Sequence, residues 1–307
     1  MLQNFLIVSQ QVLVLCCLMA LGFICNKIHW LDAKAVKSIT NIVLFFVTPC
    51  VIIDSFSRDV DPSLISGLIV AAVIAFFTFG FSIAFAHLCI KDKDKDIERV
   101  YRYASIFGNC GFMALPLEHA VLGDIGTFYG TAFIAIFNLI VWTYGVWLMS
   151  GDKANIKAKA LFTNPGLIGA VIGILLLVTG FRFPLVISTT IGYMADLNTP
   201  LPMIVIGYYL GNLSVKKIVS NRKQYLIAFY RLLLIPGVML VIMHFAKVDP
   251  VVMVVSTIAA SAPTAANTAM FATLYDKDAE LGAQLMSVTT LLSLITLPLL
   301  VALAQTL

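Results

Sequence analysis

Charge is what this sequence most lacks. Only 12% of its 307 residues are Asp, Glu, Lys or Arg, while 60% are hydrophobic. A soluble protein carries about 25% charged residues, so a globule surrounded by water is excluded. Polar stretches are short as well. The longest, Lys91 to Arg102, leaves no room for a soluble domain. The cysteines (Cys16, Cys17, Cys25, Cys50, Cys89 and Cys110) lie in or beside apolar segments, and none forms a C-x-x-C pair. They read as small buried hydrophobes ahead of disulfides or metal ligands. No G-x-x-x-x-G-K-[ST] loop occurs, so energy for any work must come from a gradient or a partner subunit. H-E-x-x-H, G-x-S-x-G and an intramembrane Cys/His cluster are missing too. That argues against a membrane protease, lipase or metalloenzyme; no catalytic residue, metal or cofactor is expected. Met1 to Val8 holds no Lys or Arg, so a cleavable leader is not expected.

Long apolar runs fill the chain instead. A membrane-spanning helix needs roughly 20 mostly apolar residues. Ten segments qualify, at about 6–28, 36–56, 62–90, 100–121, 125–149, 164–182, 185–213, 221–246, 250–274 and 279–305. The net charge of +4 is no nucleic-acid signal, because it is spread by sidedness. With the N-terminus outside, the inner connections hold 16 basic residues and the outer ones 3, namely Arg58, Arg182 and Lys247. The positive-inside rule then sets both termini outside a cell membrane. The Lys-Asp alternation from 91 to 96 reads as a solvated connector, with contact to lipid headgroups the lesser reading.

Two of the apolar segments are interrupted. One contains Phe107-Gly108-Asn109-Cys110-Gly111-Phe112-Met113-Ala114-Leu115-Pro116, the other Ser261-Ala262-Pro263-Thr264-Ala265-Ala266-Asn267. Unpaired backbone groups in hydrocarbon cost several kcal/mol each, so broken backbone at that depth belongs inside protein or beside a watery cavity. Paired interruptions in two halves of a chain point to a transporter binding site. Five segments precede the 151–163 loop and five follow, an odd number that inverts the second half. Thr48-Pro49 recurs as Thr199-Pro200, and Asp124 as Asp278, both at offsets close to half the chain. Asp61-Pro62, Asn164-Pro165 and Asp249-Pro250 read as N-caps followed by Pro, and Asp124 and Asp278 as N-caps too.

These motifs resemble the auxin efflux carrier family, bacterial organic-anion carriers included, over essentially the whole chain. The resemblance rests on Gly108-Asn109-x-Gly111-Phe112-x-x-Leu115-Pro116-Leu117 and on Pro263-x-x-x-Asn267 followed by Tyr275. Thr289-Thr290-Leu291-Leu292-Ser293 through Leu297-Pro298, Asn198-Thr199-Pro200-Leu201-Pro202 leading to Gly207, and Tyr230-Arg231-Leu232-Leu233-x-x-Pro236 add to it. The resemblance implies an all-α membrane protein of ten helices in two inverted five-helix repeats, related in fold to the bile acid:sodium symporters. The repeats would be 1–150 and 164–307 around a cytoplasmic linker at 151–163. Helices 1, 2, 6 and 7 would form a scaffold, with room for a homodimer through it. Helices 3–5 and 8–10 would form a transport domain, with helices 4 and 9 broken and crossing beside the substrate. The acid that the plant exporters carry in the third span has no counterpart here, since Pro62 to Ile90 holds none.

The residues argue in the same direction. Half-helices restarting after Pro116 and Pro263 would aim two helix N-termini, each worth about half a positive charge, at one cavity. Asn109 and Asn267 would contact substrate or ion, or cap the broken helices. Pro116 and Pro263 shape the site, and Gly108 and Gly111 admit close approach. Arg231 either draws an anion or snorkels. Asp196, about mid-depth in its segment, is the coupling-ion candidate for H+ or Na+; its alternative is an outer-vestibule acid or a partner of Arg182. Glu118 and His119 fall in the outer half of the fourth segment or its vestibule, and His87 and His244 at helix ends.

The leading expectation is a secondary carrier of a small organic anion (malate, malonate, lactate or an auxin-like acid) working by alternating access in lipid. The alternatives are a channel or uniporter, which would call for a polar ring from repeated subunits, and a non-transporting sensor or scaffold, which would not need two broken helices.

Overall fold

The computed structural model describes residues 2–57, 63–152, 163–212 and 221–307. Asp61-Pro62, Arg58, Lys153, Lys157, Lys159, Lys216, Lys217 and most of the expected linker lie outside the described residues. Among the described residues there is helix and no strand; a lone β-type bridge joins Gly108 to Thr264. The helices are α1 (Leu2–Lys27), α2 (Ala33–Ser57), α3 (Leu64–Cys89), α4 (Lys95–Ile106), α5 (Cys110–Ser150) and α6 (Pro165–Thr179). They continue as α7 (Leu185–Asp196), α8 (Pro200–Gly211), α9 (Arg222–Phe245), α10 (Pro250–Ser261), α11 (Asn267–Leu274) and α12 (Ala279–Ala304). Six stretches are long and apolar enough to cross a membrane: Ser9–Lys27 within α1, and α2, α3, α5, α9 and α12. Phe45, Phe46, Phe76, Phe77, Phe245 and Ile295 stand exposed on these helices. A lipid-facing surface of that kind marks a multi-pass membrane protein.

Three prolines inside these helices share one solution. Pro has no N–H to donate, and its ring collides with the carbonyl four residues back. Pro49, Pro116 and Pro236 each follow a wide π turn, at Val43–Val47, Cys110–Ala114 and Tyr230–Leu234. There the N–H of Thr48, Leu115 or Ile235 reaches back to the carbonyl of Val43, Cys110 or Tyr230. The extra residue in the turn makes room for the ring without breaking the helix. The helix around Pro116 therefore resumes at Cys110, not after the proline as its position suggested.

α5 changes direction at Gly123, whose φ of 65° and ψ of −146° suit glycine alone. The limb before the kink folds against the limb after it. A side chain at Gly126 would run into the Glu118 carbonyl, and one at Gly130 into the Glu118 carboxyl. Asp124 follows the kink and stands 3.7 Å from His119. Three other expected caps are present: Asn164 accepts from the Leu167 N–H, Asp249 from those of Val251 and Val252, and Asp278 from that of Leu281. α1 packs along α8, the C-terminal half of α2 against α6 and α7, and α3 and α10 against α5. The core gathers round the breaks, with Ile106, Phe107, Met113, Leu117 and Ala262 fully buried.

Candidate functional site

The breaks after α4 and after α10 meet. α4 ends at Ile106 because Phe107 turns extended, with φ −95° and ψ 108°. α10 ends at Ser261 as Ala262 leaves helical geometry, with Pro263 next. The two irregular stretches then run antiparallel. Asn109 N–H donates to the Pro263 carbonyl at 2.7 Å, and Ala265 N–H to the Phe107 carbonyl at 2.9 Å. Each break supplies groups that the other lost on leaving its helix, as buried backbone requires.

Neighbouring side chains complete the bonding. Thr264 N–H donates to Thr289 Oγ1 on α12 at 3.0 Å, and Thr264 Oγ1 donates to the Ala104 carbonyl at 2.9 Å. Arg231 Nε donates to the Ala262 carbonyl at 2.9 Å. Asn109 Oδ1 accepts from Phe112 N–H at 3.3 Å, capping the restart of the helix. Asn198 Nδ2 donates to the Gly111 carbonyl at 2.9 Å.

Arg231 is 2% exposed. Among the described residues its only hydrogen bond is to Ala262, and no carboxylate lies within 4.0 Å. Its terminal amino groups thus have no protein acceptor. A Cβ at position 108 would occupy the guanidinium's place, so Gly108 is what lets Arg231 reach the crossing. Two helix N-termini, at Cys110 and Asn267, add partial positive charge. Among the described residues the donors Asn109 Nδ2 and Thr268 Oγ1 are buried with no partner, as is the acceptor Asn267 Oδ1, whose amide leaves its Nδ2 to donate. Positive charge and unused polar atoms, enclosed in protein, suit an anion with several acceptor oxygens.

The sequence-derived site residues fall at different places. Gly108, Asn109, Pro263, Asn267 and Arg231 come together at the crossing. Gly111 touches it through its carbonyl, and open space surrounds its Cα. Pro116 lies farther along α5 and lines a cavity of about 360 Å³ with Gln11, Asp54, His119, Asp196 and Asn198. Asp196 is exposed at the C-terminal end of α7 and lines that cavity, as the alternative of a vestibule acid would have it. Whereas the buried Glu98 pairs with Arg102, Glu118 is an enclosed acid, 1% exposed, with both carboxyl oxygens unpartnered among the described residues. Its signal was available: the turn between its segment and the next is so short, at Gly123, that residues near it must face the following limb. A small cavity of about 20 Å³, room for about one water, lies between Asn267 and Thr40, Val43, Pro202 and Tyr209. Among the described residues no cluster of three His, Cys, Asp or Glu could hold a metal. His87 is satisfied by Tyr144 Oη at 2.7 Å and stacks on Trp147.

Comparison with known proteins supplies the family. The family described as membrane transport protein matches residues 7–301. An uncharacterized transporter of Methanothermobacter thermautotrophicus is 26% identical over 300 residues, covering 95% of this chain and 96% of that protein. An uncharacterized transporter of Methanocaldococcus jannaschii is 26% identical over 308 residues, covering 94% of this chain and 96% of that protein.

Proposed function

The chain belongs to the membrane transport protein family, that of the auxin efflux carriers, and on that premise we propose that it is a secondary transporter of a small organic anion. One observation carries the reading: the buried Arg231 beside the crossing, with terminal amino groups that no protein group accepts from. A buried cation without a partner is costly. A carboxylate substrate would supply the partner, with Asn109 and Asn267 donating at its other oxygens.

The mechanism belongs to the same proposal. The substrate sits at the crossing, and the cavity of about 20 Å³ beside Asn267 is too small for it, so loading requires the crossing to move against α2 and α8. Pairing of α1 with α8 and of α2 with α6 and α7 supports a scaffold built from the expected spans 1, 2, 6 and 7. The two breaks meeting antiparallel support inverted repeats, and the 16-to-3 split of basic residues supports both termini outside. Transport coupled to H+ or Na+, in either direction, and a homodimer through the scaffold complete the reading.

The test is a ligand screen followed by flux. Purified protein in detergent is melted with malate, malonate, lactate and an auxin-like acid, since a binder stabilises the state it binds. Hits are then assayed for counterflow in proteoliposomes. A carrier shows a raised melting temperature and saturable exchange. Ion conductance without counterflow would return the channel reading, and silence in both assays would remove the anion. A cytoplasmic reporter active at Leu307 would overturn the orientation.

A further inference from the structure

Resting on the carrier reading, we propose that Glu118 is the proton-exchange site of this protein, reached from the cavity of about 360 Å³. Three observations meet there. Glu118 is 1% exposed, and neither carboxyl oxygen has a hydrogen-bond partner. Its seat is built for it: Gly126 and Gly130, one turn apart on the limb after the kink, leave room for its carbonyl and carboxyl. And its chain neighbours Pro116 and His119 line the cavity, which brings that water to the same turn of helix.

Among the described residues no cation stands within 4.0 Å of the Glu118 carboxyl to pair with a fixed negative charge. Along its own helix stand Cys110, within electrostatic reach of both Glu118 and Arg231 of α9, and His119 and Asp124 on the cavity side. The limb after Gly123 adds Tyr129. α2 and α7 bring Asp54 and Asp196 to the cavity, and α1 brings the neutral Gln11. α6 and α10 pack against α5 without an ionisable side chain, though Asp249 precedes α10; α3 carries His87 and Cys89 only at its far end. A charged carboxylate enclosed in such a place is expensive, while the neutral acid is tolerated.

The cavity points to the same ion. Among the described residues its lining carries Asp196 and Asp54 with His119, and no Lys or Arg. Acids at a mouth favour a proton over an organic anion. The exchange balances simply. A hydronium ion in the cavity gives one proton to a Glu118 oxygen and is left as water, and the carboxylate becomes a neutral acid. The same O–H bond breaks when movement of the crossing brings the carboxyl to water on the other side, which takes the proton as hydronium. One proton would then accompany one negative charge held at Arg231.

Two measurements test this on the full chain. The first is infrared spectroscopy of purified protein at neutral pH. A protonated carboxyl without a hydrogen bond has a carbonyl stretch apart from those of carboxylates and amides. The band is expected in the wild type and absent in Glu118→Gln, which keeps the shape. A wild type without the band, or a Glu118→Gln variant that retains it, overturns the proposal. The second uses proteoliposomes with labelled malate, malonate and lactate. Glu118→Gln should keep exchange at zero pH gradient and lose accumulation driven by one. Gradient-driven accumulation equal to wild type overturns the proposal while leaving the carrier reading intact. If the wild type carries none of the three acids, the carrier reading fails for these substrates, and the infrared band alone decides whether Glu118 holds a proton.

Discussion

The two broken helices meet at one bridge, yet their breaks are held in different ways. The first break is tied partly from within, beside the bond from Asn198 to the Gly111 carbonyl. Asn109 caps the helix that restarts after it, and the restart is a π turn that makes room for Pro116. The second break is held from outside. Arg231 of α9 takes the Ala262 carbonyl, Thr289 of α12 takes the Thr264 N–H, and Thr264 reaches back to Ala104 of α4. Asn267 opens the following helix, and its own Oδ1 stays without a partner. A site that moves needs one rigid side and one that can be released. On this comparison the self-capped first break is the rigid side, and the second depends on neighbours whose position can change.

The largest expected effect is at Arg231. Arg231→Ala leaves the buried Ala262 carbonyl unpaired and a hole where a guanidinium packed, a loss of about 3 kcal/mol or more. Thermal melting in detergent reads it. Arg231→Lys keeps the charge but lacks the planar fork, so it should restore part of the stability and little of the anion affinity. A melting curve unchanged by Arg231→Ala would break the comparison, because the second break would then be holding itself. Next comes Thr289→Val, which removes the acceptor for a buried N–H at almost constant volume. The cost of such an orphan is about 1–3 kcal/mol. A smaller loss than from Asn109→Ala would reverse the assignment of rigid and dependent sides.

The asparagines separate the two roles. Both Asn109→Ala and Asn267→Ala should weaken carboxylate binding by roughly 10- to 150-fold, the worth of one hydrogen bond to a charged ligand of about 1.5–3 kcal/mol. Only Asn109→Ala should also lower stability, by about 1 kcal/mol for a lost cap. Isothermal titration and melting on the same preparations distinguish them. Equal binding by both variants and the wild type would make the crossing structural and move the site elsewhere.

Much of this was legible in the sequence, because a membrane restricts what backbone can do. Apolar length marked the spanning helices, and Gly, Asn and Pro in mid-segment marked the breaks, since hydrocarbon tolerates such residues only where other groups satisfy the backbone. Fixed-spacing caps such as Asn164, Asp249 and Asp278 were legible for the same local reason. What depended on distant partners was not. Pro116 looked like a helix start because its missing N–H is visible in sequence, whereas the π turn that accommodates it is not. Asp196 looked buried because it was placed along one unbroken helix, but α7 ends at that residue and leaves it exposed. Glu118 is enclosed by Gly126 and Gly130 across a kink, a contact that no single-helix count contains.

The smallest expected effect lies at the end of the bundle where α4 begins. There Lys277, just beyond α11, pairs with Asp96 at 2.9 Å, and Lys223 at the start of α9 pairs with Asp92. These ties join the same helices as the interior bonds do, but in water. Lys223 is 54% exposed, so solvent and salt screen it. The hydrogen bond from Lys223 holds the Asp92 carboxyl below the ordinary range, against a burial effect that raises it, with help from the Asp94 N–H. The folded value therefore lies below the unfolded value of about 3.9. Its stabilisation is fully present above that unfolded value and is lost as pH falls through the lower, folded one. Asp92→Asn should thus melt slightly below wild type at neutral pH, with a gap that closes in acid below about pH 4 and narrows in high salt. A gap that widens in acid would contradict the sign. A gap as large as that of Arg231→Ala would mean that the surface ends, and not the bonds at the crossing, hold the second broken helix in place.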